Sequence, residues 1–312
     1  QNRGTGCSPD CQDSRVIPTP ISSFTTAQIQ LLTVTSIANL SATDIKSLAG
    51  TQIAALTTTQ VGALTTTGIG LLSTSQVKAF SATQIGAIDV SQFVFSAAQL
   101  GVLNAPQIKA ITEADIAALT TTQLAGFSAT QIAALETTDV AALTATSVAA
   151  LSVTQVKGFS GTQIKLLSQE QLDALTATQI GGFNPGQIAL FTESAIAGLS
   201  ATQLGGLTAS QIKSLTRTQV GALSEADIGA LSTTQVTGLT AAQIAGLATT
   251  QAGALSTTQL GALSGGQVAA LTTTNVATLS ETQIGALSET QVKALTTLQI
   301  RSEEHTSELQ SH

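Results

Sequence analysis

The chain has 312 residues, a formal net charge of −7 and only 9% charged residues, well below the roughly 25% usual in soluble proteins. The acidic balance excludes a polyanion as the natural partner, and the absence of Trp and Tyr argues against stacking platforms for nucleic acid. No uninterrupted apolar run approaches the roughly 18 residues of a membrane-spanning helix.

Residues 1–24 stand apart from the rest of the chain. They carry both cysteines, Cys7 and Cys11, and three of the five prolines. This composition predicts a linker or the end of a preceding segment. With no initiator Met and no signal peptide in view, the N-terminus is read as processed or missing. A Cys-x3-Cys pair without further Cys or His is a poor metal site. It predicts a small disulfide loop in a secreted protein, or two idle thiols otherwise.

From Thr25 an eight-residue unit takes over. Its first position is Leu or Phe, its second Ser or Thr, its fifth usually Gln, its sixth Ile, Val or Leu, and its eighth small. The register holds to Asp89, where one unit (Asp89 to Phe95) has seven residues, and resumes from Ser96 to the end of the array at Ile300. About thirty-five units result, the last truncated.

Position 2 identifies the local structure. Where it is not Ser or Thr it is Asp89, Asn104 or Asn184, and only Ala49, Glu136 and Ala248 leave that set. Ser, Thr, Asn and Asp are the helix N-cap residues, whose short side chains accept a hydrogen bond from an N–H two or three residues on. Gln or Asp three residues later (Asp44, Asp115, Asp139 and Asp227) completes a capping box, and apolar residues at positions 1 and 6 form a hydrophobic staple. Pro185, directly after Asn184, occupies the first helical position, where a missing N–H costs nothing.

The charges agree. Lys46, Lys78, Lys109, Lys157, Lys165, Lys213 and Lys293 all lie at position 7, whereas the acids of the array lie at positions 2 to 5, Asp173 excepted. Acids at helix starts and bases near helix ends are the arrangement that the macrodipole favours.

Each octad therefore predicts a helix of about six residues and a corner of one or two residues carrying the next cap. The fold class is all-α, a solenoid of very short capped helices, one per repeat. A single continuous helix fails, because eight residues overrun two turns by about 80° and the Leu stripe would spiral around the surface. The alternative is a β-solenoid, favoured by Thr, Val and Ile. Against it, the aliphatics at position 6 and at the next position 1 are three apart and would face opposite sides of a strand. Positions 1 and 6 are predicted to point inward, position 8 to let backbones approach, and positions 3 and 7 to face water. The short unit, with Phe93 beside Phe95, reads either as a kink or as a deletion absorbed at a corner.

The last twelve residues, RSEEHTSELQSH, break the pattern after Ile300. They resemble the in-frame translation of a sequencing-library adapter and are set aside from fold reasoning. Without residues 301–312, Lys plus Arg falls from 11 to 10 and Asp plus Glu from 18 to 15, leaving a net charge of −5. Both histidines, His305 and His312, go with the tail.

No catalytic constellation is expected. Without histidine in the array, Ser-His-Asp and Cys-His arrangements are impossible. The carboxylates occupy cap positions, and the glycine pairs Gly181–Gly182 and Gly205–Gly206 lack phosphate-loop context. The sequence thus predicts a protein that is not an enzyme, with no catalytic, metal-binding or cofactor-binding residues, no nucleic-acid partner and no membrane insertion.

The octads resemble the Thr- and Ala-rich octapeptide arrays, LTTxQVxAL in style, of large bacterial proteins, many of which look secreted or surface-attached. The resemblance covers Thr25 to Ile300 and brings no active site with it. It implies a structural or adhesive repeat segment at the bacterial cell surface, with other surface proteins, or self-association through solenoid ends, as partners. Two further expectations stand beside it: a protein-binding scaffold, and an ice- or surface-binding threonine array using the triplets that begin at Thr57, Thr65, Thr120 and Thr272.

Overall fold

The computed structural model describes residues 20–301. Cys7 and Cys11, and the tail beyond Arg301, lie outside the described residues. The chain divides into two compact units, Gln1–Ala142 and Leu143–His312. Each is a helical solenoid, and among the described residues there is no strand, so the β-solenoid alternative is set aside.

The octad folds as its capping chemistry dictates. In unit after unit the position-2 residue sits in extended backbone, as at Ser200 (φ −66°, ψ 156°), and its hydroxyl accepts from the N–H three residues on. The helices that follow are four to six residues long, from Thr26–Gln30 to Glu289–Ala294. Isolated helices of this length would not persist in water. They exist here because each end is satisfied and each apolar face is buried.

The helices end without a left-handed residue; no residue among those described has positive φ. The last turn tightens instead. The position-1 N–H bonds the position-6 carbonyl three residues back, as in Leu207 to Leu204 at 3.1 Å, a 3-10 closure. The chain then extends through position 1 into the next cap. Corners contain two to four residues between helices, so many are longer than the sequence predicts.

Successive coils stack at a fixed interval. A helix lies against the third helix before it: Gly50–Ala55 on Thr26–Gln30, and Thr233–Gly238 on Ala209–Ser214. Positions 1 and 6 fill the interior, with Ile53, Val61, Ile69, Ile180, Ile212 and Val236 fully buried. In the second unit three position-1 Phe rings meet, across a coil and between consecutive octads. Phe183 stacks on Phe159 with centroids 6.5 Å apart and meets Phe191 edge to face at 5.2 Å.

Position 3 is not uniformly exposed, which corrects the sequence reading. Small residues there, such as Ala97 and Ala177, are half-buried, because position 8 of the following coil, twenty-nine residues on, lies against them. The two positions share one volume. Val153 stands opposite Gly182, whose added Cβ would lie 2.6 Å from Val153 Cγ1, while Gly161 stands opposite Leu190, at 2.8 Å from its Cδ1. In each of these two pairs the large residue of one coil faces the glycine of the other.

The seven-residue unit is absorbed in its helix rather than at its corner. Val90–Gln92 forms a 3-10 turn capped by Asp89, which accepts from the Ser91 N–H at 2.9 Å. Phe93 and Phe95 pack edge to face at 5.1 Å. Coil-to-coil bonding continues through it: Gln92 donates to the carbonyls of Gly62 and Leu64 at 2.9 and 2.7 Å.

Ala248 tests the value of a cap. Its N–H is still reached by Gln251 at 2.9 Å, but it has no side chain to accept the N–H of residue 251. Ala248→Ser is expected to raise stability by about 1 kcal/mol, read as a higher urea midpoint at unchanged slope.

Candidate functional site: a glutamine ladder and its acidic interruption

The position-5 side chain is the hub of the architecture, and it acts in two directions. Gln203 is 5% exposed. Its Oε1 accepts from the Ser200 N–H at 2.9 Å and from the Ser200 hydroxyl at 3.0 Å, completing the capping box of its own helix. Its Nε2 donates to the carbonyls of Leu172 and Leu175 at 2.7 and 2.8 Å. Those carbonyls belong to the previous coil, at a helix end and at the corner after it, and that of Leu172 also accepts the Leu175 N–H at 3.1 Å.

The same geometry recurs in both units. Gln60 donates to Ile29 and Leu32, both at 2.8 Å, and Gln76 to Ile45 and Leu48 at 2.7 and 2.8 Å. Gln235 donates to Leu204 and Leu207, both at 2.8 Å. Each donor lies 31 and 28 residues beyond its acceptors. A coil therefore closes after between three and four octads, and every glutamine clamps the start of one helix to the end of another.

Two substitutions separate the two roles. Asn275 makes no bond back to the N–H of its cap but still donates to the Leu247 carbonyl at 3.1 Å. Asp139 does the reverse: its Oδ2 accepts from the Glu136 N–H at 2.8 Å, and a carboxylate has no proton to give the preceding coil.

The acidic residues gather where this happens. Asp115 is 1% exposed and Asp139 is 3% exposed. Asp115 Oδ2 accepts from the Thr112 hydroxyl at 2.7 Å and its N–H at 3.2 Å, whereas Oδ1 is buried without a partner. Burial pushes the Asp115 carboxyl above the usual range, against the lowering effect of Thr112 and with a further push from Asp89. Burial does the same to Asp139, opposed by the Glu136 N–H and reinforced by the charges of Glu136 and Glu113. Asp89 is lowered by its hydrogen bonds from Ser91. The 3-10 turn at Val90–Gln92, the helix Glu113–Ala118 and the helix Thr137–Ala142 contact one another in sequence, so these five carboxylates sit on successive coils of one stack.

The residues singled out from the sequence take structural positions. The lysines lie in the last turn of their helices, as Lys46, Lys78 and Lys213 do, and Lys293 pairs with Glu289. The first residue of each threonine triplet is a cap: Thr57, Thr65, Thr120 and Thr272 each accept from the N–H three residues on. The triplets themselves are exposed. Among the described residues no three His, Cys, Asp or Glu converge as metal ligands, and no helix is long and apolar enough to cross a membrane. An open cleft of about 640 Å³ lies in the second unit, between Ala209–Lys213, Thr237–Ala241 and Ser264–Gln267.

Short capped helices wound into coils and clamped at every turn define a repeat protein of the helical solenoid class. Four stretches of the chain, residues 108–145, 132–169, 220–257 and 266–297, match the model of the ALTTAQ repeat family. No curated protein matches the chain.

Proposed function

We propose that this array is a non-enzymatic structural and adhesive segment of a bacterial protein exposed at the cell surface. The observation that supports this most is the reuse of one clamp: in both units position-5 glutamines donate to carbonyls of the preceding coil, at a helix end and at the corner after it. The polar side chains that do this are consumed in building the scaffold. Exposed positions are left largely to Ser, Thr and Ala with scattered charges, a hydroxyl-rich coat suited to contact rather than to chemistry.

Antibodies raised against residues 25–300 are expected to label intact bacteria carrying the parent protein without permeabilisation. Labelling that requires permeabilisation would refute a surface location. A second reading, a protein-binding scaffold, is favoured by the cleft between Ala209 and Gln267 and predicts that Lys213→Glu abolishes recovery of a stoichiometric partner.

A further inference from the structure

The first unit contains a break in its own clamping system. At Asp115 and Asp139 the donor to the preceding coil is replaced by a buried carboxylate, and the register places the carbonyls of Ile88 and Ile111 where glutamine would have bonded. Both isoleucines are buried, at 2% and 3% exposure. Asp115 Oδ1 is itself buried and unpartnered. The charged groups facing these two carboxylates from the elements packed against them are Asp89, Glu113 and Glu136. All three are acidic, and among the described residues the one ion pair lies elsewhere, at Lys293 and Glu289. No cation among these groups offsets the charge.

We propose that the acidic coils of residues 89–142 are a proton-responsive segment of the array, the loosest part of their unit at neutral pH and tightened when Asp115 and Asp139 take up protons. Protonation removes buried like charge and turns each carboxyl into a hydrogen-bond donor of the kind that the glutamines supply. The ligand of this site is the proton.

The direction follows from linkage. Asp115 and Asp139 are raised above their unfolded value. The stability they contribute is therefore fully present below about pH 3.9, the ordinary Asp value, and is lost as pH rises through the folded one. Asp89 is lowered and acts oppositely: its cap holds above the ordinary value and is lost as pH falls through its folded one. Tightening thus begins as pH falls through the raised folded values and is complete by about pH 4, below which the loss at Asp89 opposes it.

The test is thermal unfolding of the full chain at about pH 7 and about pH 4.5, with hydrogen exchange localised to residues 89–142, for the wild type and for D115N/D139N. The double variant keeps an accepting oxygen and carries a permanent donor. The difference between the two proteins isolates these carboxylates from the others that titrate. The wild-type midpoint is expected to rise by about 3 °C relative to the variant on acidification, with slower exchange in residues 89–142. The variant is expected to exceed the wild type at about pH 7. D115Q/D139Q, which restores the full side chain, is expected to match D115N/D139N in its flat pH response. Parallel pH slopes in wild type and variants, or acid protection spread evenly over the first unit, would overturn the proposal.

Discussion

Gln203→Ala is expected to destabilise its unit by about 3 kcal/mol, as are the equivalent truncations at Gln76 and Gln235. The change takes the side-chain partner from the Ser200 N–H and the Leu175 carbonyl, and leaves the Leu172 carbonyl with its backbone bond from the Leu175 N–H alone. Each buried unsatisfied group costs about 1–3 kcal/mol, and partial access of water to the Ser200 end keeps the total toward the lower end of the sum. Gln203→Glu separates the two roles. Glutamate preserves the capping box, so a residue whose only duty was the cap would tolerate it. Here it would aim a carboxylate oxygen at two carbonyl oxygens. Its expected cost at neutral pH equals or exceeds that of alanine, with recovery on acidification as the carboxyl regains a proton. A Gln203→Glu variant as stable as wild type at neutral pH would show that the cross-coil bonds carry no weight. Urea unfolding at both pH values decides it.

Opposite signs are expected from two adjacent glycines. Gly205→Ala is expected to stabilise by about 0.5–1 kcal/mol, because the site is helical, an added Cβ meets nothing within 4 Å, and alanine lowers the entropy of the unfolded chain. Gly206→Ala is expected to destabilise by about 2 kcal/mol. Its Cβ would lie 2.8 Å from the Ala177 carbonyl carbon and 3.0 Å from Ala177 Cα, and backbone cannot step aside as a flexible side chain can. Conformation does not distinguish the pair, since Gly206 has φ −74° and ψ −15°, open to any residue. The distinction is the neighbouring coil. Equal effects from the two substitutions, in parallel urea titrations, would mean that the coils do not approach as closely as they do here.

The local fold was legible because capping is local. Ser200, Gln203, Leu199 and Leu204 lie within six residues of one another, and their chemical types identify a helix start without knowledge of what lies nearby. The coil interval was not legible for the opposite reason. The partners of Gln203 lie 31 and 28 residues upstream, and a capping box accounts for glutamine at position 5 without them. One signal was available: glutamate never occupies position 5 in the array, although it caps as well as glutamine does. That exclusion points to a donor requirement. The exposure expected at position 3 holds for the Glu, Arg and Pro residues that suggested it and gives way at small residues such as Ala97 and Ala177, which a later coil half-covers. Arg217 shows how the array admits the larger residues: it lies over Gly246, close enough that an added Cβ there would stand 2.9 Å from its Cδ. The burial of Asp115 and Asp139 was equally hidden, since Asp44 has the same sequence context and no coil described before it to cover it.

The clamp interval has a consequence for how such arrays change length. Within a unit, a coil holds more than three octads and fewer than four, so each octad carries the chain between a quarter and a third of the way around its axis. Gain or loss of one octad, the natural step when near-identical stretches recombine, leaves every clamp with a partner of the right type. It also swings everything downstream to a different side. Repeat number therefore sets the azimuth at which later residues face outward as well as their distance, and neighbouring octads that read alike in sequence look out in different directions.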